Sequence, residues 1–430
     1  MNLWKLVWRG LVHHRRAVAG VEVGVGLASG IIAGALLVGA SVRESLRRIA
    51  AARIGRVDSA WVSQERFFRS SLAQKVGDEA SRPTAAVLIL RGSALGRKGD
   101  GSGDGLRVGR VQVLGVDDSY WNLSPDGRKP GGLTDDGVAL GEPLAKALGI
   151  GVGDEIILRV EKPSLLSRDA PLSKIDDATV AISARVDRVL TDREFGRFNL
   201  SANQVPPFNC FVPRSVLQKA VGIADTANLL LVGPEPGHAP SDLQSVNRIL
   251  WKHWGLEDAS LEIREAACRL ELRTGRVFLE PAIARIATEV TADHEQVLTY
   301  FVNRLESGGR SAPYSTVAAM TNPPGPKDLR DDEIVVNQWL ADDIGVRVGD
   351  RLRIAYWVVG PLRKLEEKTT EFRVRAIVPI EGAAADPTLM PDIPGLTDKK
   401  DCREWEPGVP IDLDRIRDKD QDWWTRYKGT

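Results

Sequence analysis

VALGEPLAKALGIGVGDEIIL, residues Val138–Leu158, and IVVNQWLADDIGVRVGDRLRI, residues Ile334–Ile354, share one pattern at a constant offset of 196 residues, without a gap. The alignment sets Leu144 on Leu340, Ala145 on Ala341, Gly149 on Gly345, Gly153 on Gly349 and Asp154 on Asp350. Each copy predicts a short apolar strand, a helix closed by Gly149 or Gly345, a Val-Gly-Asp turn and an alternating strand. Glycine supplies the positive φ such turns need, and aspartate hydrogen-bonds the turn backbone. Gly149, Gly153, Asp154, Gly345, Gly349 and Asp350 are therefore read as structural turn residues, and neither aspartate as a catalytic acid. An internal repeat of this kind is expected to build an α+β body in which each copy seeds one module.

Working outward, each copy is followed by a further strand, Thr179–Leu190 and Thr370–Ile380, across polar segments at Glu161–Asp177 and Gly360–Lys368 read as exposed loops. After the first copy, Asn209–Pro213 reads as a buried strand, Ser215–Val221 as a short helix stopped by Gly222, and Asn228–Val232 as another strand. GPEPGHAP, Gly233–Pro240, has linker composition. Beyond it, Leu243–Trp254 reads as an amphipathic helix, Ser260–Leu279 as two strands and Ala282–Thr288 as a short helix. The expected division is 43–232 for a first module, 233–240 for a linker and 241–430 for a second.

Upstream lies AVAGVEVGVGLASGIIAGALLVGASV, Ala17–Val42, with Glu22 as its one charge. As a helix this stretch measures about 39 Å, enough to cross a bilayer and too long for the apolar part of an ordinary secretory signal. Lys5, Arg9, Arg15 and Arg16 precede it and Arg43, Arg47, Arg48, Arg53 and Arg56 follow it, so charge asymmetry does not orient it. The short end before it and the large body after it favour a single pass with a cytoplasmic N-terminus and an extracytoplasmic body. Gly20, Gly24, Gly26, Gly30 and Gly34 form a small-residue face suited to close helix packing. Residues 1–16 form an amphipathic interfacial segment in which Trp4 and Trp8 oppose Lys5 and Arg9.

Composition narrows the function classes. Lys+Arg and Asp+Glu balance at 58 each, which gives no pull toward nucleic acid. Hydrophobic residues at 43% and charged residues at 27% fit a folded chain. Cys210, Cys268 and Cys402 stand far apart, so at most one disulfide can form, and buried inert thiols are the simpler reading. Asp100–Gly105 copies the opening of an EF-hand loop, but Val111 occupies the twelfth position, where a bidentate Glu is required. No phosphate-binding Gly-x-x-x-x-Gly-Lys-Ser/Thr loop occurs. His13, His14, His238, His253 and His294 show no metal or catalytic spacing. No catalytic, cofactor or metal residue is expected.

Three features together resemble the FtsX-like permeases of ABC transporters, of the MacB type. These are the basic segment Trp4–Arg16 leading into a helix that exits through Ser41-Val42-Arg43, the Leu-Gly-x-x-x-Gly-Asp turn at Leu148–Asp154 with its Ile variant at Ile344–Asp350, and Phe211-Val212-Pro213 before a short helix. The resemblance implies an inner-membrane permease subunit, or its N-terminal part, coupling a cytoplasmic ABC ATPase on another chain to an extracytoplasmic domain. Export, lipid or lipoprotein handling and mechanotransmission are the roles it implies. Partners would be that ATPase, further permease helices or a second permease copy, and membrane lipid. After Val42 no second long apolar run follows, a departure from the four-helix plan of such permeases. The alternative is a single-pass scaffold or binding protein without transport activity. A secreted hydrolase cleaved after Ala40 ranks last, because no nucleophile, base or metal set stands out.

Overall fold

The computed structural model describes residues 3–63, 66–98, 105–131, 133–134, 136–163, 179–201, 205–234, 243–266, 269–276, 278–360, 365–390, 393, 395–406 and 409–427. Cys268, His238, most of the Glu161–Asp177 loop and most of the EF-hand-like run lie outside them. Helix α1, Leu3–His13, is separated from α2, Arg15–Ile54, by a break at His14 (φ −99°, ψ 22°). The second helix does not stop at Val42. Ala, Arg, Leu and Glu dominate the continuation RESLRRIAAARI, and all are strong helix formers, so the helix runs on for twelve more residues.

The body begins with β1 (Ser59–Val62), β2 (Phe68–Arg69), α3 (Ser71–Ala80), β3 (Thr84–Arg97), β4 (Arg107–Val116) and α4 (Asp118–Trp121). The stretch Val138–Leu158 falls in the elements that follow, β5 (Val138–Gly141), α5 (Glu142–Leu148) and β6 (Glu155–Glu161). Then come β7 (Thr179–Leu190), β8 (Phe208–Pro213), α6 (Arg214–Val221), β9 (Thr226–Ala227) and β10 (Leu229–Val232). Strands β3-β4-β8-β5-β7-β6 pair in that order, and β6 returns to β3, so six strands close a ring. The length of β3 makes this possible: residues 84–87 pair with β10, while residues 92–97 pair with β6. Closure leaves no free edge in the ring and buries Val113, Leu140, Leu158 and Val212 inside, capped by Leu144 of α5 and Leu217 of α6.

A second part follows α7 (Leu243–His253) and comprises the hairpin β11–β12 (Leu261–Ala266, Arg269–Thr274), α8 (Pro281–Val290), β13 (Val297–Ser307), β14 (Arg310–Met320), β15 (Glu333–Asn337), α9 (Gln338–Ile344), β16 (Arg351–Val359), β17 (Leu365–Val378) and α10 (Asp418–Tyr427). Five of its strands form a sheet in the order β14-β13-β16-β17-β15. Helix α7, which the sequence places in the second module, instead packs Val246 and Leu250 on Phe68, Leu72 and Leu230 of the first part. Its apolar stripe was legible, but the surface that stripe faces was not. The Gly360–Lys368 loop also needs correction: Leu365–Lys368 extend β17 and pair with Tyr356–Val359 of β16. Glu366, Glu367 and Lys368 gave that stretch a loop-like composition, which an antiparallel pair open to solvent tolerates.

Candidate functional site

The functional feature the sequence points to is the apolar helix with its glycine face. α2 spans 40 residues, about 60 Å, and is long and apolar enough to cross a membrane. At about 100° per residue, Gly20, Gly24, Gly26, Gly30 and Gly34 fall within one sector about 160° wide. A side-chain carbon built on any of the five would meet nothing within 4 Å, so this face is open to a neighbouring helix.

At its far end α2 runs directly into the body. Arg53 is buried, and Gly55 (φ 56°, ψ −126°) turns the chain while its amide still bonds Ala51 O at 3.2 Å. A side chain at Gly55 would come within 2.5 Å of the Phe195 ring and 2.9 Å of Leu123 O, so only glycine fits. The next amides are fixed as well: Arg56 N donates to Leu123 O at 2.9 Å, and Asp58 N to Val232 O at 2.9 Å. Phe195 belongs to a buried aromatic cluster with Tyr120, Trp121, Phe198 and Phe211, in which Tyr120 lies 5.0 Å from Phe195 and 5.6 Å from Phe198.

Phe195 is held in place by the turn before it. Thr191 and Glu194 form a capping box, and Arg188 donates to Glu194 at 2.6 Å. Partial burial pushes the Glu194 pKa up, but hydrogen bonds from the Thr191 amide, Arg188 and the Thr191 hydroxyl outweigh it, and the net shift is downward. The carboxylate therefore stays ionised and keeps the turn locked. Sequence reasoning missed this junction. The available signal was Glu194 three residues after Thr191, a capping-box spacing followed by an aromatic.

The two sets of turn residues adopt matching geometry. Gly149 and Gly345 cap their helices at φ 65° and 69°, and Gly153 and Gly349 sit at φ 95° and 96°. The Asp154 carboxylate accepts from Gly151 N at 2.8 Å, and that of Asp350 from Arg347 N at 2.8 Å. Gly153 N bonds Val186 O, and Gly349 N bonds Val374 O, each at 2.8 Å. Each aspartate thus accepts a hydrogen bond from its own turn.

Several other polar groups are paired internally. A groove of about 900 Å³ beside α3 is lined by Arg82 and Arg214, but Arg82 is 3.3 Å from Asp58, and Arg214 is 2.7 Å from Asp117. Arg69 grips the buried Asp258 through Nη2 at 2.6 Å and its backbone amide at 2.9 Å, tying β2 to the segment after α7. Burial raises the Asp258 pKa, but the bonds from Arg69 and Gly255 outweigh it and hold the group below its usual range. Cys210 and Cys402 are free and buried. Burial pushes both thiols up, Cys402 to about 11. Among the described residues no three His, Cys, Asp or Glu side chains gather as a metal site.

No family model and no curated protein matches the chain. Among solved structures, the periplasmic region of MacB from Actinobacillus actinomycetemcomitans is similar at 11% identity, with 52% of this chain and 84% of that one covered and a TM-score of 0.27. The extracellular domain of the noncanonic ABC-type transporter YknZ from Gram-positive bacteria is similar at 12% identity, with 44% and 86% covered and a TM-score of 0.26. TM-scores this low do not establish a common fold, so function has to be argued from the chain's own geometry.

Proposed function

We propose that this chain is a membrane-anchored permease component in which α2 carries conformational change between the membrane and an extracytoplasmic body. The observation behind the reading is the uninterrupted path from an apolar helix with an open glycine face, through Arg53 and Gly55, into a packed aromatic cluster. A flexible linker would dissipate a rotation or tilt of the helix, whereas a helix end clamped into a core passes it on. The short N-terminal end is cytoplasmic, at the inner membrane, with Trp4 and Trp8 of α1 in the interface. The sequence holds no phosphate loop, so ATP hydrolysis belongs to a separate cytoplasmic ABC ATPase. Gly26, Gly30 and Gly34 receive further permease helices or a second permease copy. The chain itself is non-catalytic.

The test is affinity purification of the tagged chain from detergent-solubilised native membranes. Recovery of a phosphate-loop ATPase, reduced at least about tenfold when Gly26, Gly30 and Gly34 are replaced by Leu, supports the reading. Recovery of no ATPase sinks it in favour of a single-pass extracytoplasmic scaffold.

A further inference from the structure

The two sheets follow one plan to different extents. In the first part the strand order β4-β3-β6-β7-β5 is closed by β8, which lies parallel to β4 through Val111–Val116 and antiparallel to β5 at Ala139 and Leu140. In the second part β14-β13-β16-β17-β15 repeats that order with the same strand directions, including the parallel pair with its register irregularity at Val138/Ala139 and at Ile334/Val335. No described strand stands in the position of β8. β14 and β15 are end strands, and α9 packs against both of them, so they flank the slot that corresponds to the place of β8 in the ring.

The slot has the character of a surface awaiting cover. In β4 the stretch that meets β8 is buried at every position but Gln112, whereas Ser315–Met320 of β14 is half-buried or exposed throughout. Natural edge strands are blunted by charge or proline. Ser315-Thr316-Val317-Ala318-Ala319-Met320 and Ile334-Val335-Val336 contain neither, and Pro313 falls outside the slot. Among the described residues, hydrogen bonds from the C-terminal segment to β14, from Arg417 to Ser311 and between Asp412 and Tyr314, stop before Ser315.

We infer that this slot takes a strand–helix segment of a second, different polypeptide. The strand lies parallel to β14 and antiparallel to β15, and it is apolar on both faces, as β8 is with Val212 directed to one core and Phe211 to the other. A second copy of this chain does not meet the requirement. Its β8 is already used in its own ring, and pairing β14 with β14 would fill one edge and leave β15 open. Donation of a strand to two flanking edges is a known mode of recognition, in which main-chain bonds supply affinity and alternate side chains supply specificity. The inference goes beyond the permease reading and does not rest on it.

The probe is a synthetic peptide copying Phe208–Gly222, added to the detergent-solubilised full chain, with amide hydrogen exchange followed by mass spectrometry. The expected result is saturable slowing of exchange, at least about tenfold, confined to Ser315–Met320 and Ile334–Asn337. A peptide carrying Val212→Asp should give none. Because a free peptide can bind weakly, the same segment is also fused through a flexible Gly/Ser linker after Thr430 to raise its effective concentration. The inference is overturned if neither the free nor the tethered segment slows exchange there. Slow exchange at both stretches before any peptide is added, or protection only elsewhere, overturns it equally.

Discussion

The closed ring of the first part and the open sheet of the second use the same strand–helix–turn–strand unit, yet only one of them closes on itself. In the first, β8 supplies the last set of main-chain bonds, and Leu144 and Leu340, equivalent in position, end up 0% and 8% exposed respectively. The difference teaches that the shared unit fixes local geometry down to the turn angles, while closure of the sheet depends on one strand that the unit does not contain.

The comparison can be broken most forcefully at that strand. Val212→Asp places a carboxylate in the sealed interior of the ring with no basic partner, and burial of an unpaired charge should cost upwards of about 4 kcal/mol. The first part should then lose protease resistance while the β13–β17 sheet keeps its own. Intact resistance in both would show that ring closure does not hold the first part together. Leu144→Ala and Leu340→Ala sharpen the contrast. The first should cost about 3–4 kcal/mol and the second about 2 kcal/mol by urea titration of each transition, because the open core relaxes around the lost methyl groups more easily. Equal losses would remove the argument from closure. Smallest are Gly149→Ala and Gly345→Ala, each forcing a side chain into the left-handed region, for about 1 kcal/mol apiece. Here equality is expected, since cap geometry is common to both copies, and a twofold disparity would show that the turns are not equivalent.

The sequence displayed much of this fold because the information was local. Val138–Leu158 and Ile334–Ile354 carry apolar spacing, a capping glycine and a turn aspartate within twenty-one residues, and the strand and helix bounds follow. The β13–β14 hairpin was missed although Gly308-Gly309, at φ 54° and 78°, is a two-residue turn signal, because RSAPYSTVAAM does not alternate and contains Pro313. Ring closure was beyond reach for a different reason. It depends on β3 switching partners from β10 to β6 near Gly92, and on β8 entering between β4 and β5 from about seventy residues further along the chain, and neither has a local signature. At the candidate site, the glycine face was legible from spacing alone. The clamp at Gly55 was not, since its glycine is defined by Phe195, 140 residues distant in sequence.

The twelve helical residues between Val42 and Gly55 make the attachment a rigid spacer. They hold the body about 18 Å beyond the apolar stretch, and because the helix has no joint there, they also fix its compass bearing relative to the glycine face. Inserting one residue would lift the body about 1.5 Å and swing it about 100°, while inserting seven would restore the bearing to within about 20°. The side of the body that lies in line with the glycine face is therefore encoded by residue count.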